Sequence, residues 1–217
     1  MKALTLSVSA VTFSFFVVLF VRAQDTLYLS TLGNPTSGAS PVGHDSWIGQ
    51  SFVTGTNSDG YILDSIQLLM SAASGPASGF SVSLYDFFGQ YPQDNLGTLN
   101  GSSDPVSAGL YTFTTSGLTL SASTPYCVVV TASTTVAQGA FNWNAESSPV
   151  GNPSSQGWFW GLYYDSNDGL NWSYHRGLIY QLGVYGTPIP EPSTFALMSL
   201  GGVFLLLCRS GLKRGSG

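Results

Sequence analysis

Hydrophobic and polar side chains alternate with a period of two through the middle of this chain, and unbroken apolar runs occupy its two ends. The alternation is plainest at 80–85, where Ser81 and Ser83 separate Phe80, Val82 and Leu84. A strand with one face in a core and the other in water has that pattern. The same reading predicts strands over 61–70, 109–114, 126–132, 140–143, 158–164 and 178–185. Between them, Asp59-Gly60, Ser74-Gly75-Pro76, Asn100-Gly101, Ser116-Gly117 and Asp168-Gly169 suit hairpins and tight loops. Gly, Ser, Thr and aromatic residues are abundant, while Lys, Arg and Glu, the usual residues of helix surfaces, are almost missing, so helices are expected to be scarce. The expected fold is all-β. It is one β-sandwich of jelly-roll-like arrangement over 24–186, long enough to bury a proper core and without internal repeats.

The apolar ends change the picture from a plain globular domain to an exported one. Met1 to Ala23 has an early Lys2, a long apolar stretch through Phe13, Phe16, Leu19 and Val21, and a small residue at Ala23, and it reads as a signal peptide over 1–23. Arg22 beside the cleavage point leaves an uncleaved signal anchor as the alternative. At the other end, Phe195 to Cys208 are fourteen residues without a charge. At ~1.5 Å per residue they cover roughly 21 Å of a hydrocarbon layer about 30 Å thick, so a span needs the flanks. The expected transmembrane helix therefore runs over about 193–212, with Arg209, Lys213 and Arg214 as stop-transfer charges at its end. A buried core helix is the alternative, disfavoured by the basic end.

Charge distribution ties the ends together. Of the six basic residues only Arg176 lies between Gln24 and Pro190, where ten of the eleven acidic residues are found. A region so acidic has no electrostatic attraction to phosphate backbones, and nucleic acid is excluded as a partner. The positive-inside rule places the C-terminal cations in the cytoplasm and the acidic middle on the far side of the bilayer.

Pro190-Glu191-Pro192, then Ser193-Thr194-Phe195-Ala196-Leu197, a glycine-bearing apolar helix and terminal basic residues, together resemble the PEP-CTERM sorting signal of Gram-negative bacteria. That resemblance implies export through the Sec translocon, insertion in the lipid bilayer, and processing by an exosortase, a membrane-embedded protease, in cells that make exopolysaccharide. The sorting domain would occupy 187–217, with Pro190, Glu191 and Pro192 as its motif. The two prolines hold Glu191 in an extended backbone that suits a protease cleft. A simple anchor on a proline stalk is the alternative. Within the β region, the run Trp47 to Phe52, with Tyr61 to Leu68, Phe80 to Tyr85 and Tyr111-Thr112-Phe113, is similar to the choice-of-anchor domains of the R type. That likeness implies surface anchoring and no particular molecular activity.

Candidate chemistry adds little that is catalytic. His44-Asp45-Ser46 are consecutive, whereas a triad is assembled from separated positions, and neither a Gly-x-Ser-x-Gly elbow nor a metal-binding histidine pair occurs. Carboxylate pairs such as Asp165 with Asp168, or Asp86 with Asp94, leave a glycoside hydrolase formally open. The expectation is a non-enzyme with no cofactor. Cys127 lies in an apolar strand and Cys208 in the anchor, so no disulfide between them is expected. Asp165, Asn167 and Asp168 gather oxygen ligands in a short loop, but glycine stands where the EF-hand pattern needs a ligand, so a hairpin turn is favoured over calcium.

Aromatic density around that loop is the remaining signal. Trp158, Trp160, Trp172 and Tyr174 are candidates for stacking on sugar rings, with amide and acidic neighbours for the hydroxyls. Core packing of the same side chains is the favoured alternative. Two functions are therefore carried forward: a membrane-tethered cell-surface or matrix protein with a non-catalytic structural role, and a polysaccharide-binding module.

Overall fold

The computed structural model describes residues 25–101, 103–147 and 156–190. The expected signal peptide over 1–23 and transmembrane helix over 193–212 lie outside these residues. Among the described residues there are thirteen strands and no helix. They are β1 (Thr26–Ser30), β2 (Gly38–Val42), β3 (Trp47–Val53), β4 (Tyr61–Ser74), β5 (Ser81–Phe88), β6 (Tyr91–Gly101) and β7 (Gly109–Leu120). There follow β8 (Pro125–Thr131), β9 (Ala140–Glu146), β10 (Phe159–Ser166), β11 (Ser173–His175), β12 (Ile179–Tyr180) and β13 (Leu182–Pro188).

Every pairing between these strands is antiparallel. One sheet is built on β4, with β7 along one side and β13 and β9 in tandem along the other; β1 extends it beyond β13, and β2 beyond β9. The other runs β11-β10-β3-β8-β5-β6. The end of β6 leaves it to pair Asn100 with Thr114 and Gly101 with Phe113 of β7, which joins all thirteen strands in one path. Four of the pairs are nested, β2 with β9, β3 with β8, β4 with β7 and β5 with β6, and alternate between the two sheets. A long hairpin rolled on itself has that wiring, the arrangement on which jelly rolls are built.

Side-chain parity explains how the sheets close on one core. In β8, Tyr126, Val128 and Val130 face the interior while Cys127 and Val129 face the other way. In β4 the buried set changes parity, from Tyr61 and Leu63 to Ile66, Leu68 and Met70. A bulge makes this possible: the register with β7 shifts between Leu63 and Ser65, and that with β13 shifts at the facing Tyr185 and Gly186. The chain on β7 takes up the slack at residues 115–117, where Gly117 has φ 83°. Ser116-Gly117 is thus a kink inside a strand and not the expected hairpin turn, and Asn100-Gly101 likewise continues β6. The expected strand over 178–185 divides at Gln181, whose amide bonds Asn144 of β9 while its carbonyl accepts from Leu69 of β4. The chain there passes from one neighbour to the other.

Trp158 is at the centre of the core. It is 1% exposed, stacks on Tyr28 at 4.5 Å and Phe52 at 5.6 Å, and meets the edge of Tyr61 at 4.9 Å. Of the polar groups buried with these rings, Trp158 Nε1 and the Tyr28 hydroxyl have no hydrogen-bond partner, whereas Gln50 is fully engaged. Gln50 donates to the carbonyls of Ser51, Gly161 and Leu162 and accepts from the Tyr180 amide, tying β3 to an irregular stretch of β10 and to β12.

Candidate functional site

The face of the second sheet turned away from the core carries a smaller apolar cluster. Cys127, Val129, Tyr85 and Tyr164 are buried there beneath Trp172, Trp47, Phe87 and Leu162. A sheet face normally meets water at this position, and here two hairpins cover it. The β5–β6 hairpin brings Phe87 to 5.5 Å from Tyr164, whose hydroxyl donates to the Gln90 carbonyl at 3.0 Å. From the other side, the loop between β10 and β11 lays Trp172 over β3, with its ring 6.4 Å from that of Tyr85. Only a glycine at position 49 permits this: a methyl group there would lie 2.7 Å from Cys127 Sγ and 3.7 Å from the Trp172 ring. Burial pushes the Cys127 thiol well above its usual range and raises Tyr85. Burial, with Cys127 beside it, lifts Tyr164 to about 12.

At the rim of this cluster the aromatic rings emerge into solvent. Tyr91 and Tyr174 are 42% and 44% exposed with ring centroids 6.2 Å apart, and Phe88 at the hairpin tip is 79% exposed. Of the four residues proposed from sequence for sugar stacking, Tyr174 is therefore open and Trp172 half-buried. Trp158 is a correction: its ring is enclosed on both faces by Tyr28 and Phe52 and offers none to a ligand. Trp160 is partly buried on the core side, away from Trp172. Tyr91 and Phe88 were missed, although Phe87-Phe88-Gly89-Gln90-Tyr91 is an aromatic-flanked turn that reads as a hairpin.

The oxygen-rich loop is occupied with holding itself. Asp168 accepts from the amides of Leu170 and Asn171, both at 2.8 Å, and from the Asn171 side chain at 2.7 Å. These donors, the Asn171 amide foremost, hold its carboxyl well below the usual carboxylate range. Asp165 turns away to pair with His175, whose ring stacks on Tyr163. No group of three or more His, Cys, Asp or Glu side chains that could hold a metal occurs among the described residues. His44, Asp45 and Ser46 likewise serve a turn: Asp45 accepts from the Val136 amide, Ser46 donates to the Pro41 carbonyl, and the His44 carbonyl accepts from Trp47. Asp86 accepts from the Asp94 amide.

The end of the fold is the second place of interest. β13 lies between β1 and β4, with Thr26 facing Gly186 and Tyr61 facing Pro188. Past the strand, the Ile189 amide donates to the Gly60 carbonyl at 3.0 Å, and the Ile189 carbonyl accepts from Asn57 Nδ2 at 3.0 Å. The same Asn57 side chain donates to Gly60 at 2.5 Å, closing the turn at 57–60 on itself. Thr187 donates to Asp64 at 2.7 Å; burial raises the Asp64 carboxyl, this bond opposes the rise, and Asp25 adds to it. Pro190 is exposed.

Residues 188–211 match the PEP-CTERM protein-sorting motif. The match begins on the last residue of β13 and includes Pro190, Glu191, Pro192 and Arg209. Glu191, Pro192 and Arg209 lie outside the described residues, as do Lys213 and Arg214, which follow the matched stretch. A PEP-CTERM motif implies processing by an exosortase, a membrane protease, with export and membrane anchoring before display at the surface of a Gram-negative cell. No curated protein matches the chain.

Proposed function

We propose that this chain is an exported protein, delivered by the Sec translocon and held in the bilayer by its apolar C-terminal helix. It is then displayed at the cell surface or in the extracellular matrix, where its β domain has a non-catalytic structural role. The observation that carries this reading is the junction at Pro188, where the last strand ends and the PEP-CTERM match begins without an intervening linker. A β scaffold of low charge, similar in sequence to the choice-of-anchor domains, suits passive display. Mass spectrometry of the mature C-terminus from a fractionated native host tests the reading. A terminus beyond Ile189 near the motif is expected; a chain intact through Gly217 in the membrane fraction refutes processing.

The exposed pair Tyr91 and Tyr174 favours a second reading, in which the aromatic rim binds polysaccharide. Replacing both tyrosines with alanine removes retention on an exopolysaccharide affinity gel under this reading, at unchanged melting temperature. Equal retention by the parent and the double variant would end it.

A further inference from the structure

A protease takes its substrate as an extended strand, reading backbone N–H and C=O groups as a neighbouring strand would. Backbone already committed to a folded sheet is closed to it until that segment opens locally. In β13 those groups are engaged by β4 along 182–188 and by β1 along 183–186. The engagement does not stop with the strand, because the amide and the carbonyl of Ile189 are both taken by the turn at 57–60. Pro190 has no N–H to engage and stands exposed. On the far side of the motif the charge-free apolar run begins at Phe195. Residues 190–194 thus separate the last clasped residue from that run, a reach of at most ~18 Å when fully extended.

We propose that Asn57 and Gly60 form a clasp on Ile189 that fixes where the sorting tail leaves the fold and confines processing to the peptide bonds beyond Ile189. The proposal rests on the reading of the tail as a sorting substrate and adds to it what sets the limits of the cut. The completed sheet and its clasp close the N-terminal side, and the apolar run closes the other. Asn57 acts here as a positioning residue, through the backbone of Ile189. Its side-chain amide donates to the carbonyls of Ile189 and Gly60, and the Ile189 amide donates to that same Gly60 carbonyl.

The test uses the full chain in detergent micelles, digested briefly with proteinase K, with fragment ends read by mass spectrometry and amide exchange followed at Ile189. The parent is expected to give a stable fragment ending at or beyond Pro190. Asn57→Ala is expected to move that end back into 187–189 and to speed Ile189 exchange by roughly tenfold, the factor for about 1.4 kcal/mol. Amides of Ile66 and Val184 should keep their protection, which separates release of the clasp from loss of the fold. Asn57→Asp keeps the size of the side chain but turns an acceptor on two carbonyls, and should behave as the alanine variant does. An unchanged fragment end with unchanged Ile189 exchange in both variants overturns the proposal. In the native host the parent terminus should lie within 190–194, and Asn57→Ala should add shorter products. A parent terminus inside β13 also overturns the clasp. A chain intact to Gly217 in the host defeats the sorting reading alone, and the digestion and exchange still decide the clasp.

Discussion

Replacing Trp158 with alanine is the sharpest probe of how this domain is held together, because the same residue is a plausible sugar platform when read from sequence. Burying an indole removes roughly 150–250 Å² from water, about 4–6 kcal/mol at 25 cal/mol per Å². Measured losses for Trp or Phe to alanine in cores run at about 3–5 kcal/mol. One contribution works the other way: Trp158 Nε1 is buried with no hydrogen-bond partner, so deleting it relieves about 1 kcal/mol of unmet desolvation. The expected net loss is about 3–4 kcal/mol, a large part of the ~5–15 kcal/mol that stabilises a domain. For a fold of this size that is a fall in Tm of roughly 6–16 °C. Thermal unfolding followed by far-UV circular dichroism reads it, with Trp172→Ala as the half-buried comparison, expected to lose about half as much. A Trp158→Ala chain melting within about 2 °C of the parent would refute the core assignment and the stacking argument with it.

Other outcomes follow from the second cluster and from the buried polar groups. Burial keeps the Cys127 thiol protonated, so iodoacetamide at pH 8 should leave it unmodified in the folded chain and label it in urea, as peptide mapping would show. Gln50→Leu leaves the Tyr180 amide and the carbonyls around Gly161 without their partner and should lower stability by about 2–3 kcal/mol in urea titration. Asp168 has a folded pKa below its unfolded value, so the stabilisation it gives its loop is complete above about pH 4 and is lost as pH falls further. At neutral pH, Asp168→Ala should speed exchange of the Leu170 and Asn171 amides and leave those of Val128 and Val130 unchanged.

Period-two patterning located strands such as 80–85 and 126–132, because there the alternation is imposed by the core. It failed where parity changes. The bulges that carry β4 from Leu63 to Ile66 and β7 past Gly117 leave the same sequence signature as a turn, so Ser116-Gly117 was read as one. β1, β2, β3, β6 and β11 lie outside the strands expected from patterning; β2 and β6 bury too few residues to impose a regular alternation. The aromatic run around 158–175 signalled a packed region, yet sequence could not divide it between the two faces of a sheet. Trp158 is buried in the main core, whereas Trp172 packs half-buried on the opposite face of the sheet. The sorting motif was legible in full because it is read by residue type and order and does not depend on a fold. Asn57 was not, since nothing local distinguishes a turn asparagine from one that reaches across to Ile189.

The place of β13 between β1 and β4 also sets an order of events in time. A chain exported as an unfolded thread presents β1 first, but among the described strands β1 pairs with β13, the last of them to emerge. β4 waits likewise for one of its sides. Contacts that join the two ends of a sequence are the slowest to form, because the whole intervening chain must be ordered to bring them together. Until then the pairing edge of β1 along 26–30 and one edge of β4 along 61–68 stay open. Closure can come only when the residues beside the sorting motif have emerged, so the strand that completes this fold is also the one on which the sorting-motif match begins.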